Sequence, residues 1–291
     1  MAEPIGARHH SLQRLRRLSR RRSARTSEGA FVLDGPTLLA EALAAGVVVE
    51  EVVAEPGCPE ALLAEAAAAG ATVRRAPEGA LARAVDTVTP HGVAAVARMA
   101  ERAAGDVLGA AGPLALVLVG VSDPGNAGTL LRSAEASGAG AVAFCDGSVD
   151  PFGPKCVRSS AGSVLRLAVL RDGDSADALA ACAEYGRRTV GTVVRAGTPY
   201  DTVDLRGPVA LVLGNEAHGL PPGVAAAVDE AVTIPMAGRA ESLNVAMAGT
   251  ILCFEALRQR RAGATAPQQG NGLPIDRHLP NRDAPITGVD R

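Results

Sequence analysis

The feature that most constrains the fold is the alternation of short apolar runs with Ala-rich helical stretches. LALVLVG (114–120) is a continuous apolar run closed by a glycine, the pattern of a strand covered on both faces of a parallel sheet. After it come the helix AGTLLRSAEASG, the strand AVAFC, an irregular stretch, the helix ADALAACAEYG, the strands TVGTVV and VALVLG, and a final helix from about Leu243 to Arg261. Such alternation predicts an α/β fold, a parallel sheet with helices on both faces. A smaller unit of the same kind precedes it: FVLDG as strand and turn, PTLLAEALAAG as a helix opened by Pro and closed by Gly, then VVVEEVVA, ALLAEAAAAG, ATVRRA and GVAAVARM. The expected organisation is a basic arm at 1–27, a small α/β domain at 28–98, a linker at 99–113, a larger domain at 114–261 and a tail at 262–291. The tail is Pro/Gly/Gln-rich and lacks periodicity, so disorder is expected there.

Composition excludes several classes. With 47% hydrophobic and 21% charged residues over 291 positions, the chain has the balance of a folded protein. No run approaches the roughly 18 apolar residues of a membrane span, so a soluble, cytoplasmic protein is expected. Aromatics are 2% with no Trp, which argues against a reader that stacks successive bases on aromatic rings. The five cysteines form no C-x-x-C pair and sit on apolar segments, so reduced core thiols are expected and a metal site is not.

The net charge of -2 hides an asymmetry, because residues 8–25 hold eight arginines and no acid. Leu12, Leu15 and Leu18 recur every three residues there, which fits a short helix with one apolar stripe. Three roles are open to this segment: a solvated tail, a targeting segment, or an arm whose Arg14, Arg17 and Arg21 neutralise phosphates with strong salt dependence. Every basic residue except Lys155 is arginine, which codon bias explains before function does.

One dinucleotide-like pattern, Gly138-Ala-Gly140-Ala-Val-Ala143, is set aside, since a helix precedes it and a strand follows, the reverse of what that fingerprint needs. Three other loops remain. After strand 114–120, SDPGNAG forces a tight turn that places Asn126 at the carboxyl end of the strand, with Arg132 farther along the helix. After VALVL comes GNEAHGL, where Gly214 and Gly219 permit close backbone approach and Asn215, Glu216 and His218 crowd polar groups behind a buried strand. In the third, IPMAGRAESLNV, Ile234, Met236 and Leu243 offer an apolar bed for an adenosine ring. There Ser242 to Val245 opens a helix, with Ser242 readable as a simple cap.

Taken in order, Asn126-x-Gly128-x-x-x-Arg132, Leu213-Gly-Asn-Glu-x-x-Gly-Leu220 and Ile234-Pro-Met-x-Gly-x-x-x-Ser-Leu-Asn-Val245 resemble the three motifs of the SpoU (TrmH-type) branch of the SPOUT RNA 2'-O-ribose methyltransferases. Residues 12–97 resemble the small domain, similar to ribosomal protein L30, that precedes many such enzymes. DPFGPKCVRSSAGS resembles a further family segment, which implies an RNA-binding role for Arg158. The resemblance implies a parallel sheet tied in a C-terminal trefoil knot, a homodimer, and S-adenosylmethionine bound in the knot. It further implies cofactor contacts from Leu213, Gly214, Asn215, Gly219, Ile234, Met236 and Leu243, and a catalytic set of Asn126, Arg132, Glu216, Ser242 and Asn244.

Such an enzyme must deprotonate a ribose hydroxyl as it attacks a sulfonium methyl, and a guanidinium is a poor base. Arg132 is therefore expected to clamp a phosphate, with Asn126 and Glu216 orienting the groups. The basic segment and small domain point to 23S ribosomal RNA ahead of transfer RNA as substrate. The competing reading is a catalytically silent RNA-binding protein, which an absence of S-adenosylmethionine binding by calorimetry would favour.

Overall fold

The computed structural model describes residues 3–6, 8–85, 91–109 and 112–265. The small domain holds β1 (Glu3–Pro4), α1 (His10–Arg20), α2 (Arg22–Glu28), β2 (Ala30–Asp34), α3 (Pro36–Ala44), β3 (Val49–Ala54), α4 (Glu60–Ala68), β4 (Thr72–Arg75) and β5 (Val93–Arg98). Its sheet runs β1-β4-β3-β5-β2, with β5 antiparallel to both neighbours. The basic segment is not a free arm. Leu12, Leu15 and Leu18 pack into a core with Val32, Val53, Leu81 and Val96, so the apolar stripe seats α1 on the sheet.

The expected linker is partly built into the larger domain. Within it, α5 (Ala104–Gly109) buries Val107 and Leu108 against the second domain's core. The larger domain continues with β6 (Leu114–Val119), α6 (Pro124–Ala136), β7 (Ala141–Cys145), α7 (Pro154–Ser159), α8 (Ser163–Arg166), β8 (Ala168–Gly173), α9 (Ser175–Glu184), β9 (Arg188–Thr192), β10 (Thr198–Pro199), β11 (Val209–Leu213), α10 (Pro222–Ala227), β12 (Glu230–Thr233) and α11 (Val245–Thr265). All its strand pairs are parallel, in the order β10-β12-β9-β11-β6-β7-β8. The central strands β6, β7 and β11 are buried at every position, as their unbroken apolar runs require. The stretch after AVAFC, irregular by sequence, contains α7, α8 and β8. Its short elements carry too few residues for a period to show. The final helix begins at Val245 and extends through Thr265, past the expected start of the tail; residues 266–291 lie outside those described.

The two domains are pinned together. Buried Arg25 of α2 pairs with buried Asp150 at 2.7 Å and donates to the carbonyl of Leu18 at 2.6 Å. The Phe31 and Phe152 rings meet at 4.9 Å, and Arg166 bridges Glu41 of α3 and Glu135 of α6. All five cysteines are buried without disulfides, and burial pushes the Cys156 and Cys253 thiols up to about 12.

Candidate active site

Strands β6 and β11 are neighbours, so the loops that follow them leave the same edge of the sheet side by side. After β6, Asp123 caps α6 by accepting from the Asn126 N–H at 2.9 Å, and Pro124 fills the first helical turn. This sets the Asn126 side chain at the helix start. After β11, the Asn215 and Gly219 backbones exchange two 2.9 Å hydrogen bonds, which close 214–220 into a tight loop. Asn215 Nδ2 ties this loop to the carbonyl of Gly120 at 2.7 Å. A side chain at Gly214 would lie 2.2 Å from the Gly219 carbonyl carbon, so only glycine fits there.

Glu216 links the two loops. Its Oε1 accepts from the Asp123 N–H at 3.1 Å and Asn126 Nδ2 at 3.0 Å, and its Oε2 from the Ser122 N–H at 3.2 Å and hydroxyl at 3.1 Å. Burial by itself would raise the carboxyl's pKa. The Asn126 amide and the backbone N–H groups outweigh it and hold the group at about 2. Glu216 is thus an ionised strut whose oxygens are already engaged.

The third loop joins through Asn244, whose Nδ2 donates to Asn126 Oδ1 at 2.9 Å. Asn244 Oδ1 accepts from the Ala246 and Met247 N–H groups, so the cap of α11 is Asn244, two residues beyond Ser242. The alternation of α11 with the strands places it against α6 and β11, close enough that a Cβ on Gly249 would come within 2.3 Å of Leu130 and 3.2 Å of Leu213.

Beside this cluster opens a cavity of about 350 Å³, whose lining includes Gly214, Asn215, Glu216, Gly219, Ile234, Met236, Ser242 and Leu243. That volume is in the range of ordinary ligand pockets. Leu213 does not line it; it is fully buried behind, under Gly249. Thr192 at the end of β9, with Val193 and Val194 just beyond it, forms a wall that the sequence motifs did not flag, because this strand end carries no polar or glycine-rich turn. His218 also lines the cavity, with Nδ1 3.1 Å from Asn215 Oδ1.

Arg132 stands apart from the cluster, on the exposed face of α6, and no hydrogen bond or ion pair holds it among the described residues. Arg158 of α7 is half-buried, and its Nη1 has no partner among those residues. Among the α1 arginines expected to meet phosphate, Arg14 is half-buried and held by Glu28 and Glu50, and exposed Arg17 pairs with Glu28, whereas Arg16, Arg20 and Arg21 are exposed. Helical spacing decides this, since Arg14 and Arg17 lie on the side facing those two acids.

A parallel sheet with three glycine- and asparagine-bearing loops closing one pocket at its carboxyl edge defines an α/β ligand-binding enzyme fold. The comparisons with known proteins are specific. The SpoU rRNA Methylase family matches residues 113–254, and an MRM3-like substrate binding domain matches residues 10–95. The chain is 33% identical over 232 residues to the Bacillus subtilis 23S rRNA (guanosine(2553)-2'-O)-methyltransferase RlmP, covering 79% of this chain and 89% of that protein. It is 38% identical over 222 residues to the Xanthomonas axonopodis 23S rRNA (guanosine-2'-O-)-methyltransferase RlmB, covering 73% and 89%. The AdoMet-bound rRNA methyltransferase of Sinorhizobium meliloti superimposes with a TM-score of 0.80 at 29% identity, over 88% of this chain and 98% of that one. The chain belongs to the SpoU family of rRNA methyltransferases.

Proposed function

We propose that this protein transfers the methyl group of S-adenosylmethionine to a ribose 2'-hydroxyl of 23S ribosomal RNA. The observation that carries this reading is the hydrogen-bonded convergence of Glu216, Asn126 and Asn244, from three separate loops, with Glu216 also lining the adjoining cavity. The cavity fits the cofactor. Gly214 lets the 214–220 loop close tightly at the cavity wall, where any side chain would force it open, and Ile234, Met236 and Leu243 provide an apolar bed for an adenine ring. Gly214, Asn215, Gly219, Ile234, Met236 and Leu243 would hold it, and Ser242 sits on the same rim.

S-adenosylmethionine supplies an electrophilic methyl group. The chain's own residues supply position. Glu216 orients the Asn126 amide, and Asn244 accepts no freedom either, since its oxygen is fixed by the start of α11. Asn126 is left with one amide N–H to direct at a substrate oxygen. Holding the hydroxyl and methyl donor in line is worth roughly 7 to 11 kcal/mol, so rigid positioning supplies much of the rate. Arg132 clamps an RNA phosphate from the exposed side of α6. Glu216 removes no proton, because a carboxylate held at a pKa of about 2 is a weak base and its oxygens already accept four hydrogen bonds.

A homodimer fits the exposed apolar side chains of α11, Met247 and Phe254, which a second copy would cover. A knot fits the path of the chain: from β11 it crosses to β12 on the far side of β9, then returns so that α11 packs on β11 and α6. No helix among the described residues is long and apolar enough to cross a membrane, and a cytoplasmic site of action fits work on ribosomal RNA. The test is transfer of labelled methyl from S-adenosylmethionine to 23S rRNA, followed by mapping of ribose methylation. Failure to methylate any cellular RNA overturns the proposal.

A further inference from the structure

One cation stands at the lip of the hydrogen-bonded cluster. Lys155 lies in the first turn of α7, and its side chain is 64% exposed. Its Nζ is 3.5 Å from Asp123 Oδ2, a loose contact between exposed groups that contributes little to stability. Asp123 in turn touches the cluster twice: it caps Asn126 at 2.9 Å, and its N–H donates to Glu216 at 3.1 Å.

The base of this lysine is fixed against α6. The Ser159 hydroxyl donates to the Pro124 carbonyl at 2.9 Å, and a Cβ on Gly128 would fall 1.9 Å from Ser159 Oγ. The backbones of α6 and α7 therefore meet in one register, and the lysine stem starts from a defined point beside the first turn of α6. The ammonium itself is free to turn, because it is a compact charge on a flexible stem with three donors.

We propose that Lys155 receives an RNA phosphate next to the ribose being methylated, exchanging its loose contact with Asp123 for that phosphate when RNA binds. Asp123 holds the lysine over the cluster in the meantime and stays ionised through its cap bond to the Asn126 N–H. A phosphodiester is the fitting ligand because it can draw the ammonium into a shorter charge-assisted contact than the 3.5 Å pairing with Asp123. Arg158 follows three residues later on α7, so that helix brings two cations to the edge of the site. The inference rests on the reading of Asn126, Glu216 and Asn244 as the reacting centre.

The test uses the full-length protein, transcribed 23S rRNA and the variants Lys155→Ala and Lys155→Arg. RNA affinity is measured across a salt series, cofactor affinity by calorimetry, and thermal stability by melting. Lys155→Ala is expected to weaken RNA binding and to flatten the plot of log affinity against log salt by about 0.7 to 0.9, one phosphate contact. Cofactor affinity and the melting temperature stay at the parent values, and Lys155→Arg recovers the slope. An unchanged slope in Lys155→Ala overturns the proposal. So does a loss of cofactor affinity or thermal stability alongside the slope, which would mark Lys155 as a structural prop for Asp123. The underlying reading fails separately, if Asn126→Ala retains methyl transfer.

Discussion

Asn126 Nδ2 lies 3.0 Å from Glu216 Oε1, and this single bond settles which way the asparagine amide faces. With its nitrogen turned to the carboxylate, its oxygen is left to accept from Asn244. Replacing Glu216 by Gln puts a donor where four donors converge. Hydrogen bonds to a charged group are worth about 1.5 to 3 kcal/mol, so Glu216→Gln is expected to lower kcat by roughly 10- to 150-fold. Cofactor affinity, measured by calorimetry, should fall much less.

The same carboxylate makes a pH prediction. Its folded pKa, about 2, is below the unfolded value, so the stability it contributes is complete above the unfolded pKa and is lost as pH falls toward the folded one. Between pH 6 and 9 Glu216 should therefore add no inflection to a kcat profile. Denaturant midpoints should decline only below about pH 4.5, and the decline should be shallower in Glu216→Gln. An acidic limb near neutral pH that vanishes in that variant would contradict this account.

Gly214→Ala places a methyl group 2.2 Å from the Gly219 carbonyl carbon, against backbone that cannot step aside without opening the 214–220 loop. Loss of S-adenosylmethionine binding by calorimetry is expected, with the far-ultraviolet circular dichroism of the parent retained.

Arg25→Ala strands the buried carboxylate of Asp150 between the domains. Leaving one member of a buried pair uncompensated typically costs about 3 to 5 kcal/mol, which urea unfolding should report. Because Asp150 lies in the segment leading to α7, RNA affinity should weaken as well, while the cofactor cavity, on the opposite part of the sheet around β9 and β12, keeps its affinity.

The arginines of α1 should divide by partner. Arg16→Ala combined with Arg20→Ala is expected to reduce the salt dependence of RNA binding by about 0.7 to 0.9 per phosphate lost, without changing the melting temperature. Arg14→Ala, which breaks contacts to Glu28 and Glu50, should lower stability and leave that slope alone.

What could be read from the residues was what is local. The apolar runs of β6, β7 and β11 announced buried parallel strands, because both faces of such a strand meet helices. The asparagines, glycines and glutamate of the three loops were visible because a turn after a buried strand rarely needs so many polar groups. The triplet spacing of Leu12, Leu15 and Leu18 gave a helix, but not the surface it covers, and so Arg14 and Arg17 were expected to meet phosphate. Their acids, Glu28 and Glu50, lie 14 and 36 residues away from Arg14 in the chain.

Sequence alone determined the parallel α/β alternation around the buried strands β6, β7 and β11 and the residue types at each loop, since these follow from hydrophobic period and turn chemistry over a few neighbouring positions. Tertiary structure decided which of those side chains meet: that Glu216 reaches back 90 residues to Asn126, that Asn244 caps α11, that Leu213 sits behind the cavity, and that Ser159 occupies the space of a Gly128 side chain. Contacts of that kind depend on how the sheet orders its strands and brings distant loops to one edge, and no local pattern carries that distance.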